Sequence, residues 1–196
     1  MILFKNLLKS TLSLALLAGF AQPVLAANTY EIDPVHSHLI FKIKHLNIGY
    51  QYGRFNRFSG TVVVDEKNPA QSKVEIKAEA ASVDTNASKR DDHLRSPDFF
   101  NVKQFPQLSF KSSKVERAGA GQYKVSGILT LHGVSKPLSF TFKKTGEGKG
   151  MQGEYRMGGE AMITLKRSQF GMTTYIKEGG LSDEVTLILS FEGIKK

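Results

Sequence analysis

Apolar and polar residues alternate along most of this chain with a period of two, and that pattern constrains its fold more than any other feature. Lys73-Val74-Glu75-Ile76-Lys77-Ala78-Glu79-Ala80 sets charged side chains against apolar ones at every step. Only an extended strand with one wet face and one dry face accommodates that order. The same alternation returns in Leu39/Phe41/Ile43, Val62/Val64, Leu108/Phe110 and Val125/Leu129/Leu131. It returns again in Leu138/Phe140/Phe142, Ala161/Ile163/Leu165 and Val185/Leu187/Leu189/Phe191. With Tyr30-Glu31-Ile32 at the start, roughly eight or nine strands are predicted.

Turn residues punctuate the strands. Asn68-Pro69, Ala118-Gly119-Ala120-Gly121, His132-Gly133, the Gly146–Gly150 run and Glu178-Gly179-Gly180 are spaced for hairpins rather than crossovers. No long segment has a 3.6-residue period. One short helical insert is expected near 88–96, with Ser88 as its cap and Pro97 as its stop. A second helical turn is expected near Arg167 to Tyr175. A sheet of this length must close or pack on another, and closure removes the edges that invite aggregation. The expectation is a single all-β domain, an antiparallel eight-stranded β-barrel. At that strand number the interior is filled by side chains or holds one small ligand.

The first 26 residues stand apart from this pattern. Lys5 and Lys9 precede an apolar stretch from Leu12 to Phe20, and Val24-Leu25-Ala26 ends in small residues. That order is a secretory signal peptide, expected to be cleaved after Ala26 and to deliver residues 27–196 to the periplasm. The stretch is short for a bilayer span, which takes roughly 20 residues. No Cys occurs anywhere, so there is neither a disulfide framework nor a thiolate metal site. Residues 27–196 carry 25 basic and 18 acidic residues, because two of the 27 Lys and Arg lie before Ala26, for a net charge of +7. The lysines are scattered singly along strands, as on a solvated sheet face. The balance leans towards an anionic ligand or a transient membrane contact, and export argues against nucleic acid.

Thirteen Phe and six Tyr, with no Trp, make a large aromatic share. Many of the Phe fall on inferred inward faces, Phe105 among them, beside small residues such as Ala78, Ala80, Gly127 and Ala161. Small residues leave room inside, which favours a cavity for an apolar chain over a filled core. His36 and His38 form an H-x-H pair that would place both rings on one side of a strand. A zinc site needs three or four convergent ligands, so a structural role at a strand start is the better reading. The segment Lys89-Arg90-Asp91-Asp92-His93-Leu94-Arg95-Ser96 is the most polar stretch outside the turns and directly precedes Phe99-Phe100. Such a loop could close one end of the barrel, with Arg and His meeting an anionic or carbonyl head group. No G-x-S-x-G, H-E-x-x-H or phosphate-cradling Gly loop appears, so no catalytic residue is expected.

Several strings resemble the YceI-like family of periplasmic polyisoprenoid-binding proteins. They begin with Tyr30-Glu31-Ile32-Asp33-Pro34-Val35-His36-Ser37 and Phe41-Lys42-Ile43-Lys44-His45-Leu46. Arg90-Asp91-Asp92-His93-Leu94-Arg95-Ser96-Pro97, Leu129-Thr130-Leu131-His132-Gly133 and Arg167-Ser168-Gln169-Phe170-Gly171-Met172 come after them in order. The resemblance implies a lipocalin-like barrel whose long pocket takes an isoprenoid chain with a pyrophosphate or quinone head group. It departs at Asn47-Ile48-Gly49-Tyr50-Gln51-Tyr52, where the family often has a shorter step.

The alternation and the resemblance together single out the candidate ligand-binding residues. Phe41, Ile43, Phe55 and Phe58 come from the first half of the chain. Arg90, His93, Leu94, Arg95, Phe99 and Phe100 come from the helical insert and the residues just after it. Phe110, Leu129, Leu131, Phe140, Phe142 and Phe170 come from the later strands and the second helical turn. No metal and no cofactor other than the bound lipid or quinone is expected. Two other classes fit the residues: an interaction module with a filled barrel, and a hydrolase using His36, His38 and Asp33 or Asp91. A homodimer through an apolar rim is compatible with either.

Overall fold

A computed structural model of the protein describes residues 27–196; residues 1–26, where a signal peptide is expected, lie outside the described residues. The described residues form eleven strands, one short helix and three 3-10 turns. β1 (Asn28–Ile32) and β2 (His38–His45) are two halves of one stave, broken at 33–37. β3 (Gly49–Phe55) and β4 (Phe58–Val64) are likewise split at Asn56-Arg57. β5 (Lys73–Glu79) continues through a 3-10 turn into the two-residue β6 (Val83–Asp84). β7 (Gln107–Gly119), β8 (Gln122–Leu131), β9 (Val134–Lys149), β10 (Tyr155–Lys166) and β11 (Leu181–Lys195) are long and unbroken.

Pairing runs β1-β4-β5-β7-β8-β9-β10-β11 and returns from β11 to β1, so the sheet closes. β2, β3 and β6 extend the same staves at one end, with β2 against β11, β3 against β2 and β6 against β3. The result is an all-β, closed eight-stave antiparallel barrel, as the alternation requires. The helix α1 (Ser88–Arg95) lies over the end built from β2, β3 and β6.

Three local expectations are corrected. Ser88 is inside α1 rather than its cap; the cap position is Ala87, whose side chain makes no capping bond. In its place, Asp91 in the first turn reaches back to Thr85. The Gly146–Gly148 run is strand, opposite Arg156–Gly158 on β10, and the turn comes later at 150–154. Glycine there is tolerated because hydrogen bonding, not side-chain packing, sustains the ladder. His36 lies in the turn that splits β1 from β2, so the H-x-H pair does not sit on one strand.

Two hydrophobic clusters pack inside the barrel. One gathers Tyr30, Phe41, Phe55, Phe58 and Phe191, and the other Phe110, Val125, Leu129, Leu131 and Phe170. Glycines admit close backbone approach between staves. A Cβ on Gly127 would stand 2.3 Å from the carbonyl oxygen of Lys111 and 2.7 Å from the Cα of Ser112. That contact coincides with the β7–β8 register shift at Ser112 to Lys114.

Candidate ligand-binding site

Inward-facing residues of β2 and β3 begin a cavity of about 460 Å³ at the α1 end of the barrel. Phe41, Ile43 and His45 alternate inward on β2, and Gln51 and Phe55 on β3. Leu108, Leu129, Leu131, Leu165, Val185 and Leu187 supply apolar walls deeper in. The volume is of ligand-pocket size, which is roughly 300–1,000 Å³. Two smaller voids of about 70 and 50 Å³ continue into the barrel. The first shares Phe55, Leu108, Leu129 and Leu187 with the main cavity. The second shares Ile76, Phe140 and Leu189 with the first. The three voids thus follow one another along the barrel, divided by shared apolar side chains, with the Phe110 and Phe140 rings in contact at 5.3 Å.

The far end is closed by Lys144. Its ammonium group, largely shielded from water, pairs with Glu66 at 2.5 Å and Glu147 at 3.0 Å. Hydrogen bonds to those two carboxylates hold its pKa above the ordinary lysine value, although burial acts the other way.

The mouth is built from α1 and the loop at 172–181. Asp91, buried, accepts from the Thr85 backbone N–H at 2.9 Å and from its hydroxyl at 2.6 Å. Arg90 donates to the Thr85 hydroxyl at 2.7 Å, the Thr85 carbonyl at 2.8 Å and Gln51 at 3.1 Å. Arg95 donates to the carbonyls of Ala81 and Val83. These bonds fasten a helix of only eight residues, too short to persist on its own. His93 meets the Phe99 ring at 5.0 Å and Tyr175 at 6.2 Å, while Thr174 donates to the Asp98 carbonyl and ties the loop to the segment just after the helix.

Arg167 anchors the loop from below. Its side chain is buried, with the residue only 3 % exposed. It donates to the carbonyls of Ser182 at 2.9 Å, Met172 at 3.1 Å and Thr174 at 2.8 Å. Burial pulls its pKa below the ordinary arginine value, with the Asp183 charge opposing. Arg90 and Arg167 thus both line the cavity, and every hydrogen bond they make goes to a neutral oxygen. Two guanidinium groups beside an apolar cavity, neither neutralised by a bonded carboxylate, suit an electron-rich head group.

The sequence-derived candidates divide accordingly. Phe41, Ile43, Phe55, Arg90, His93, Leu94, Phe99, Phe100, Leu129 and Leu131 line the main cavity. Phe110 and Phe140 line the middle void, and Phe140 and Phe142 the innermost one. Phe58, Arg95 and Phe170 lie outside all three linings. Phe58 packs opposite Ala78 in the β4–β5 ladder, and Phe170 sits in the second core cluster. Among the residues not singled out, Leu108, Val185 and Leu187 carried the alternation signal. Arg167 and Met172 fell within a family string, Tyr175 and Gly180 were read only as turn residues, and Thr85 had no signal.

His132 was also missed. Its Nδ1 lies 3.0 Å from the Phe170 carbonyl, which can only accept, so Nδ1 carries the proton. Its buried Nε2 has no partner among the described residues. The ring also packs on Phe105 at 4.6 Å, and its bond to Phe170 joins the β8–β9 turn to the 167–170 turn.

Asp33, His36 and Glu192 converge closely enough to suggest a metal site. The Arg156 guanidinium already bridges the two carboxylates, at 2.7 Å from Asp33 and 2.6 Å from Glu192. His36 bonds Asp33 at 2.8 Å. This is an ion-pair clasp between β1, β10 and β11, and His38 and Asp91 take no part in it.

Residues 30–193 match the YceI-like domain family. A UPF0312 protein of Yersinia pestis is 45 % identical over 186 residues, covering 94 % of this chain and 95 % of its own. A UPF0312 protein of Yersinia enterocolitica is 46 % identical over 171 residues, covering 86 % and 88 %. The crystal structure of the Campylobacter jejuni YceI protein superposes with a TM-score of 0.68 at 32 % identity, covering 78 % of this chain and 90 % of its own. Burkholderia cenocepacia BcnA superposes at 0.76 with 24 % identity, covering 82 % and 98 %. A polyisoprenoid binding domain from Saccharophagus degradans superposes at 0.65 with 16 % identity, covering 85 % and 98 %; these last two likenesses speak to the fold. From its domain match, its relatives and its barrel, this chain belongs to the YceI-like family.

Proposed function

We propose that this protein is a periplasmic carrier that holds one long isoprenoid lipid in its barrel. The observation that carries the reading is the apolar cavity of about 460 Å³, followed along the barrel by smaller voids and lined by the Arg90 and Arg167 side chains. The tail would run towards Lys144, and the head group would rest between Arg90, His93 and Arg167. Each buried methylene contributes about 0.8 kcal/mol, so roughly 15 to 20 chain carbons supply on the order of 12–16 kcal/mol before ordering costs. Immobilising the chain takes back several kcal/mol. The tail therefore supplies affinity, and the mouth selects the head group.

A pyrophosphate or a quinone would each offer oxygens to Arg90 and Arg167. Release into the periplasm rests on residues 1–26 acting as a cleaved signal peptide. A carrier needs no catalytic residue, cofactor or resident metal, and the Arg156 clasp gives the acidic cluster a structural role. The neighbour described as a polyisoprenoid binding domain supports the same class of cargo. A barrel filled by its own side chains would instead suit an interaction module, and the size of the cavity favours cargo.

Native mass spectrometry of the exported protein, followed by organic extraction, tests the proposal. The expected result is a discrete added mass that fragments as a polyprenyl chain and names its head group. An apo mass that is unchanged after incubation with isoprenoid lipids would overturn it.

A further inference from the structure

The β2–β3 hairpin is the rim of the cavity, and its outer surface has a composition that the barrel itself does not need. Register places Lys44 beside Tyr50 and Lys42 beside Tyr52, with the partners of these pairs facing away from the lining residues Phe41, Ile43 and Gln51. Lys42 lies over the Tyr50 ring at 4.5 Å. At the tip, Ile48 is 86 % exposed and Leu46 52 %. No Asp or Glu occurs from residue 34 to residue 64, while Lys42, Lys44, Arg54 and Arg57 do. Arg54 and Arg57 are occupied by Asp84 and Glu79, which leaves Lys42 and Lys44, among the described residues, as the cations of the hairpin without an acidic partner.

The tip is also built against local preference. The bond from the Ile48 N–H to the His45 carbonyl closes a β-turn inside the three-residue loop 46–48, with φ of 50° at Leu46 and 55° at Asn47. Such turns favour Asn-Gly, and a bulky residue in the left-handed region is strained. This chain places Leu there and sets beside it an isoleucine that is almost wholly exposed. Across the mouth, Tyr175 is half-exposed beside Lys177, with Glu178 the one acid on that loop.

We propose that this hairpin docks on an anionic phospholipid bilayer, with Leu46 and Ile48 entering the boundary between head groups and acyl chains. Lys42 and Lys44 then meet lipid phosphates, and Tyr50 and Tyr52 lie at head-group depth. Apolar tips, interfacial aromatics and lysines without acids are the composition such surfaces recognise. Docking there deepens the carrier reading and rests on it: the mouth faces the bilayer, so an apolar tail passes into the barrel without crossing water.

Co-sedimentation of the exported protein with vesicles of phosphatidylethanolamine and phosphatidylglycerol tests this, with phosphatidylcholine vesicles for comparison. Binding is expected to the anionic vesicles, to fall with added salt, and to drop roughly tenfold in a Leu46→Ser/Ile48→Ser variant. Met151→Ser, at an exposed methionine of the opposite end, should bind as the parent does. Equal binding by the tip variant, or none by the parent, overturns the proposal. So does a parent that is dimeric in solution, becomes monomeric on tip substitution and ignores vesicles, since the rim would then be an interface between copies. Vesicle binding is read separately from cargo: an apo barrel that still binds anionic vesicles sinks the carrier and keeps the docking surface. A lipid-loaded barrel indifferent to them does the reverse.

Discussion

Arg90 is held at the mouth by bonds to neutral oxygens of Thr85 and Gln51, so its charge is available to a head group. Replacing it by Glu should weaken retention of a polyprenyl pyrophosphate by at least about tenfold, because attraction becomes repulsion next to an apolar site. A quinone should be affected much less, and competition between the two lipids measured by native mass spectrometry separates the cases. Asp33 lies outside the cavity linings and belongs to the Arg156 clasp. The hydrogen bond from His36, together with those from Arg156 and Val35, holds its carboxyl well below the usual carboxylate range, against the opposing effect of burial. A depressed carboxyl pKa stabilises the folded state fully above the unfolded value of about 4 and loses that effect as pH falls below it. Between pH 7 and pH 3, the urea midpoint should therefore drop more in the parent than in Asp33→Asn.

Two elements depend on contacts that a strand pattern does not announce. β8 approaches β7 so closely at Gly127 that alanine there would strike backbone rather than a movable side chain. Gly127→Ala should cost about 1–3 kcal/mol and lower the melting temperature by several degrees in a barrel of this size. The helix α1 is held by Thr85, whose hydroxyl donates to Asp91 and accepts from Arg90. Thr85→Val removes that hinge point while keeping the shape. The expected outcome is a faster loss of bound lipid in a chase with empty vesicles, with a stability loss of only about 1–2 kcal/mol. The insert at 88–96 was legible from its composition and its Pro97 stop, but its fastening was not. Arg90 and Arg95 look alike in the sequence, yet one side chain lines the cavity and the other turns to the carbonyls of Ala81 and Val83.

For the whole molecule, the cavity is the quantity to alter. Leu131 lines it and is itself buried. Leu131→Trp should fill part of the main cavity, reduce co-purified lipid severalfold and leave thermal stability close to that of the parent, because a void receives the added ring. A full complement of lipid in that variant would move the cargo elsewhere in the barrel.

Taken by itself, the amino-acid sequence determined most of the strands, their wet and dry faces, the need for the sheet to close or to pack on another, and the location of the helical insert; it did not announce β3 (Gly49–Phe55) or β6 (Val83–Asp84). Alternation and turn chemistry are local, and local order survives in a linear string. It also narrowed the candidate residues to those pointing inward. Tertiary structure alone decided which inward residues border empty space and which fill it. Phe41 and Phe58 obey the same alternation, but their heights along the barrel differ, and only the first meets the cavity. It alone decided, too, that Arg167 holds the mouth, since its partners are backbone carbonyls of a loop. Every residue carries a carbonyl, so no side-chain pattern could mark those that the fold would bring to one guanidinium.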